Sequence, residues 1–409
     1  MAAAAALGLV LAVLLGGVAA DRIPQKRILV TVESAKTVAI ATAAALSISG
    51  ALELWHLAIV AFLLGVADGF FYPAYSAMLP SILPAGDLLA ANGFEGVLRP
   101  AVMQAAGPAV ASAAIALWSP GGAFAIVTVT QLAAIAVLVF LRPVQLRREL
   151  GAPQHPLRAV ASDLAGGFRY MLHTPWLLAT LLFACVLVLL IMGPIEVLLP
   201  FAVRDNTGGG APEFALALAA FGIGGAIGSL LVASLRLPRR YLTIMNLLWG
   251  AGCVPLVVVG FTSSLGLMIV ALFVVGFAFS AATVIWGTLL QRRVPPELLG
   301  RVSSLDFFVS LALMPVSMAV AGSVGEVIGL PLTFFIAGAV PVVLAVIAIV
   351  AARLPADEIA HPLDGDPDAV PDGEAYGRAD DYGSATTPNV VSDTKRGIST
   401  EEQPVNDQM

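Results

Sequence analysis

Few side chains in this sequence could do chemistry, and most of them interrupt apolar runs. Asp68 lies beside Gly69 and near Tyr72 and Tyr75 in "GVADGFFYPAYSAMLP". Glu196 follows "IMGPI" in another run. A carboxylate in such surroundings is costly to leave charged and unpartnered, so each is a candidate to exchange a proton. Hydrogen bonding to a neighbouring helix is the alternative for Asp68, and a substrate contact the alternative for Glu196. Glu33 and Lys36 are three residues apart, Glu95 and Arg99 four, which are the spacings of ion pairs along a helix. Tyr72, Tyr75, Trp286 and Gln131 are candidate cavity residues. Gln104, Gln131 and Asn246 also suit hydrogen bonding between helices.

A denser cluster opens the chain. "GGVAADRIPQKR" places Asp21, Arg22, Lys26 and Arg27 within seven residues, directly after an apolar stretch. Gly17 permits close approach of two helices, and Asp21, at a helix end, can accept bonds from the N-terminus of a neighbouring helix. Arg22, Lys26 and Arg27 suit anionic lipid and nearby acids. The cluster is either a gate that locks and releases, or a plain basic anchor. Nothing in the sequence supplies a nucleotide-binding loop, a metal-ligand spacing or a nucleophile–base motif, so no enzyme activity, cofactor or metal is expected, and no nucleic acid as partner. Cys185 and Cys253 read as small core side chains.

The elements that must position these residues are membrane spans. The 409 residues are 59% hydrophobic and only 12% charged. Mean hydropathy is +0.92, so lipid is the expected solvent. Eleven stretches are long and apolar enough to span: 2–20, 28–50, 55–80, 96–118, 121–141, 176–203, 212–235, 241–262, 265–290, 303–325 and 330–352. With the connection at 21–27 set inside, 17 of the 18 basic residues before residue 354 fall inside, leaving only Arg204 out. This predicts a multi-pass protein of the cell membrane with a cytoplasmic C-terminus. A cleaved signal peptide over 1–20 is disfavoured, because no Lys or Arg precedes the apolar run.

On this topology Glu33 and Lys36 lie near an inner helix end, Glu196 nearer an outer one, and Glu95 and Arg99 at the inner start of 96–118. That last pair could instead reach Asp21 or Arg22 and couple the gate to its helix. Asp306, just inside 303–325, is expected to answer Arg301 or the nearby basic loop.

The longest polar connection divides the chain. Residues 1–142 form a bundle of five spans, 143–175 a cytoplasmic linker, 176–353 a bundle of six, and 354–409 an acidic disordered tail. The tail holds 13 acidic and three basic residues, which turns a net basic body into a chain of net charge −6. Within the linker, "PLRAVASDLAGGFRYML" is expected to form an amphipathic helix on the inner leaflet. An offset of 211 residues overlays 65–84 on 276–295 without a gap, the mark of two parallel homologous halves.

The stretch from Gly17 to Arg27 resembles the cytoplasmic signature of the major facilitator superfamily, Gly-x-x-x-Asp-Arg-x-Gly-Arg-Arg, with Pro24 in place of its second Gly. A degenerate copy occupies 228–240. "MQAAGPAVAS" at 103–112 is similar to the helix-flexing motif of antiporters through Gly107 and Pro108, while Met103, Ala111 and Ser112 depart from it. "PPELLGRVSSLDFFVSLALMPVSMAVAG" from Pro295 resembles a helix junction of the drug- and siderophore-exporter branch. The resemblance covers about residues 1–353. It implies an all-α polytopic membrane protein of two bundles, with 11 of the usual 12 transmembrane helices, because the signature here follows the first span rather than the second. It also implies a proton-coupled exporter of hydrophobic or amphiphilic small molecules, working as a monomer in the lipid bilayer by alternating access. The alternative is a non-transporting membrane protein, a sensor or assembly factor.

Overall fold

The computed structural model describes residues 2–141 and 156–363, and among them every regular element is helical. The first half comprises α1 (Ala2–Arg22), α2 (Gln25–Ile48), α3 (Leu54–Ile82), α4 (Leu88–Pro100), a π-helical stretch (Ala101–Ala106), α5 (Gly107–Leu117) and α6 (Pro120–Phe140). A connecting helix, α7 (Pro156–His173), leads to α8 (Pro175–Gly193), a π-helical stretch (Pro194–Leu198) and α9 (Leu199–Thr207). The second half continues with α10 (Ala211–Ser234), α11 (Tyr241–Ala251), α12 (Pro255–Phe261), α13 (Leu265–Arg293), α14 (Leu299–Ile328), α15 (Leu330–Ala351) and the short α16 (Leu354–Ala360).

Ten helical stretches among the described residues are long and apolar enough to cross a membrane. They correspond to ten of the eleven expected spans. The eleventh, 96–118, is the compound path from Leu88 to Leu117, interrupted by the π-helical turn just before Gly107. A π turn re-registers the backbone hydrogen bonds, and Gly107 followed by a proline is where such re-registration costs least. The side chains of Pro108 and Gln104 lie outside the described residues.

The repeat seen in the sequence is built into the fold. α3 and α13 both have 29 residues, and their first and last residues differ by the same 211 positions. Gly65 on α3 and Gly276 on α13, one repeat apart, press against carbonyls of Ala5 and Phe221 on the preceding partner helix, so neither has room for a Cβ. Each half is thus organised around one close helix pair, α1 with α3 and α10 with α13. Most of the largest fully buried side chains, Tyr241, Phe334 and Met245 among them, belong to the second half.

Two expectations are corrected by the packing. α7 does not simply lie on lipid: Asp163 on it is buried, and the helix packs against α1, α8 and α14. The segment 354–363 is not part of a disordered tail. α16 docks on the second half through Asp357 to Arg293 (2.6 Å), while Glu358 accepts bonds from the Thr243 amide and hydroxyl (both 2.6 Å) and so caps α11. Apolar Leu354 and the capping carboxylate give this short stretch a buried face that composition alone does not reveal. The rest of the expected tail, 364–409, residue 142 and the linker residues 143–155 lie outside the described residues.

Candidate functional site

The two halves are tied together at the end of the bundle that carries Asp21. Gly17 allows α1 to lie against Gly300 and Ser304 of α14; a Cβ there would collide with both. This contact brings Asp21 to the first turn of α14. Its Oδ1 accepts the Gly300 amide (2.9 Å) and its Oδ2 accepts Arg301 Nε (2.7 Å). The first amides of a helix lack partners within it and carry partial positive charge, so a carboxylate there is doubly favoured.

The pair is nearly sealed from solvent, with side-chain exposures of 6% for Arg301 and 1% for Asp21. Asp163 extends it. Arg301 Nη1 donates to the Asp163 carbonyl (3.0 Å) and lies 3.4 Å from its carboxylate, while Arg22 Nε donates to that carboxylate at 2.5 Å. Four charges therefore alternate across three elements, Arg22, Asp163, Arg301 and Asp21, and each buried charge has an opposite neighbour. Lys26 Nζ donates to the carbonyls of Val139 and Leu141 at the end of α6 (2.8 and 2.5 Å), and Arg27 is exposed. Farther along the same seam, the hydroxyls of Ser76 and Ser303 meet at 3.0 Å.

The other seam between the halves, where α4 meets α10 and α13, is joined by neutral hydrogen bonds among the described residues. Asn92 Nδ2 donates to Gln291 Oε1 (2.8 Å) and to Thr288 Oγ1 (3.2 Å). Gly93 and Gly96 lie against Ala233 and Ser229 of α10.

A second polar cluster lies deeper in the first half. Lys36 Nζ is 2.7 Å from Asp68 Oδ1 and 3.4 Å from Glu33 Oε1, and stands over the Phe71 ring at 4.7 Å. The expected Glu33–Lys36 pair exists, but the shorter contact is to Asp68 on the next helix. Arg99 pairs with Glu95 and lies over the Tyr72 ring at 5.1 Å. Because α4 begins at Leu88, Arg99 is eleven residues inside its helix, about 16 Å from its start. Glu95 and Arg99 are thus bound to each other and do not reach Asp21 or Arg22, whose partners come from α14 and α7. Tyr75 faces Glu95, and Tyr72 stacks on Phe307 of the second half at 5.1 Å.

The remaining expected residues scatter. Glu196 is exposed within the π-helical stretch of the second half. Gln131 is half-buried on α6, which packs chiefly against α2 and α5. Trp286 does not face an open cavity: it is 6% exposed, packs with Trp176 and Trp249, and donates Nε1 to Asp306 (3.2 Å). Asp306 therefore does not answer Arg301, which Asp21 and Asp163 already engage. Sequence reasoning missed Asp163, Arg301 and Asn92 as functional residues. The available signal was an aspartate on the helix predicted for the linker and an arginine in the first turn of a span.

The sequence profile of a family described as transmembrane secretion effector matches residues 1–368. The multidrug efflux pump Tap of Mycolicibacterium fortuitum is 27% identical over 372 residues, covering 87% of each chain. Macrolide efflux protein A of Streptococcus pyogenes is 23% identical over 334 residues, covering 81% of each. Among solved structures, a human organic anion transporter shares the fold with a TM-score of 0.69 at 14% identity, over 85% of this chain and 82% of that one.

Proposed function

The chain belongs to the transmembrane secretion effector family of the major facilitator superfamily, and on that premise we propose that it exports hydrophobic or amphiphilic small molecules across the cell membrane in exchange for protons. The observation that carries this reading is the buried tie of Asp21 to Gly300 and Arg301, which closes one end of a two-bundle transporter whose curated relatives are efflux pumps. The distribution of basic residues supports a cytoplasmic position for that end and for the C-terminus. Drug or metabolite then binds between the bundles, which rock about their interface.

In the cycle, the charged seam holds the cytoplasmic side shut while the opposite side opens. Opening the cytoplasmic side requires α1 to leave α14, so Asp21 gives up the Gly300 amide and Arg301 together. Arg301 keeps a partner throughout, because Asp163 on α7 remains beside it. The Glu95–Arg99 pair and the Gly107–Pro108 step serve α4 and α5 as that helix flexes. Asp68 is the candidate proton carrier of the first half: once protonated it no longer holds Lys36, which turns to Glu33. Tyr72 and Tyr75 line the space beside it, Glu196 is a contact within the second half, and Gln131 is a peripheral one. One chain supplies both sides of the lock, which suits a monomer.

Ethidium and a macrolide are suitable probes in everted membrane vesicles carrying the protein. An imposed pH gradient is expected to drive uptake of at least one of them, and collapsing the gradient to stop it. Vesicles that accumulate neither under any gradient would support the non-transporting alternative.

A further inference from the structure

Asp306 is a partly buried acid that the lock does not use. It sits on α14 seven residues past Leu299, about 10 Å from the start of that helix. Its hydrogen-bond partner is a neutral one, the indole Nε1 of Trp286 on α13 at 3.2 Å. That indole is wedged between Trp176 at 6.3 Å and Trp249 at 6.1 Å, so its donor cannot move far.

Among the described residues the cations nearest Asp306 are engaged elsewhere: on α13, Arg293 pairs with Asp357 and lies over Trp176, and Arg292 donates to the Leu363 carbonyl. From α8 the titratable side chain facing it is the thiol of Cys185. On its own helix the guanidinium of Arg301 is turned to Asp21 and Asp163. From α1 and α7 the carboxylates of Asp21 and Asp163 are held in the lock. From α3, Tyr72 stacks on Phe307, the neighbour of Asp306, and Asp68 is paired with Lys36. Among the described residues no ion pair involves Asp306. A carboxylate at this depth with a single neutral donor is far costlier to keep charged than one facing a lysine.

We propose that Asp306 is a proton-binding site in the second half, loaded while the cytoplasmic end is closed and emptied when α14 parts from α1 and α3. This rests on the proton-driven reading above. Access and coupling follow from its place. Asp306 is only partly buried, so water can reach it, whereas the Trp286 ring behind it is sealed. Its neighbour Phe307 touches the opposite half through Tyr72, so a change at Asp306 is felt where the halves meet. Bound, the proton sits on a carboxylate oxygen; released, it leaves a carboxylate that Trp286 alone cannot compensate, which favours the open, wetter arrangement.

The test compares gradient-driven ethidium export with gradient-free ethidium exchange in vesicles. In Asp306→Asn the ratio of the two is expected to fall at least tenfold, and in Asp306→Glu to fall less, with a displaced pH profile. A ratio within twofold of wild type in Asp306→Asn overturns the inference while leaving the proton-driven reading standing. A wild type indifferent to the gradient defeats that reading instead. Infrared titration of the solubilised protein gives a readout independent of transport. The carbonyl band of protonated acids is expected to lose one component in Asp306→Asn, at every pH where wild type shows it, and to keep that component in Asp68→Asn. A wild-type minus Asp306→Asn difference spectrum with no such component overturns the assignment.

Discussion

The two seams between the halves do the same mechanical job with different chemistry. Where α1 meets α14, the contact is ionic, buried and directional, with Asp21 bonded to Gly300 and Arg301. Where α4 meets α10 and α13, it is neutral, made by Asn92, Gln291 and Thr288 over two close-packed glycines. The repeat that relates the halves would allow both seams to be alike. They differ because the second copy of the charged motif has Val232 and Ser234 in the region where the first has Asp21. A neutral amide pair contributes about 1 kcal/mol and re-forms easily, whereas removing one member of a buried ion pair costs about 3–5 kcal/mol. On the proposed cycle, the charged seam sets the equilibrium between closed and open, and the neutral seam keeps register while the halves move.

The predictions run from the change that should break this contrast most to the one that should hardly touch it. Asp21→Asn leaves Arg301 sharing Asp163 with Arg22 and loses one side of the helix-end contact. Ethidium efflux from cells is expected to drop more than tenfold with the protein still present in the membrane. Gly17→Val pushes α1 off Ser304 and Gly300 and should lower efflux about as much without removing any charge. Equal loss from the two variants identifies closure itself, not charge alone, as the requirement.

Asp163→Asn, measured in the same assay, is expected to cost severalfold, since Arg301 keeps Asp21 but Arg22 loses its partner. Asn92→Ala should change efflux by less than about twofold. A larger loss for Asn92→Ala than for Asp163→Asn would reverse the ranking of the two seams.

Much of the fold was legible because membrane helices announce themselves by length and apolarity. The 211-residue offset was readable because α3 and α13 have the same length and each needs a glycine, Gly65 and Gly276, where its partner helix comes closest. The end of α1 was also legible, since Gly17 and Asp21 have roles that residue type and spacing imply. What the sequence hid were partners chosen by tertiary packing. Arg301 lies 280 positions from Asp21, and Asp163 lies on a helix whose polar face looked suited to lipid headgroups. Lys36 showed its neighbour Glu33 and concealed its shorter contact to Asp68. Trp286 looked like a cavity wall because an aromatic side chain does not reveal which way it faces. The boundary of α4 was missed by eight residues because "LLAANGFEGVLRP" mixes polar and apolar positions, and that shift moved Glu95 and Arg99 from the start of their helix to its later turns.

The account stands on the Asp21 seam being the element that holds one end closed. Spin labels on Ile23→Cys and Pro296→Cys, at exposed positions flanking that seam, report its width directly by pulsed electron resonance. In otherwise wild-type protein in lipid a short distance is expected to dominate. Adding Asp21→Asn should shift most of the population to a longer one, and adding Asn92→Ala should leave the distribution unchanged. An unchanged short distance in the Asp21→Asn protein would contradict the central claim.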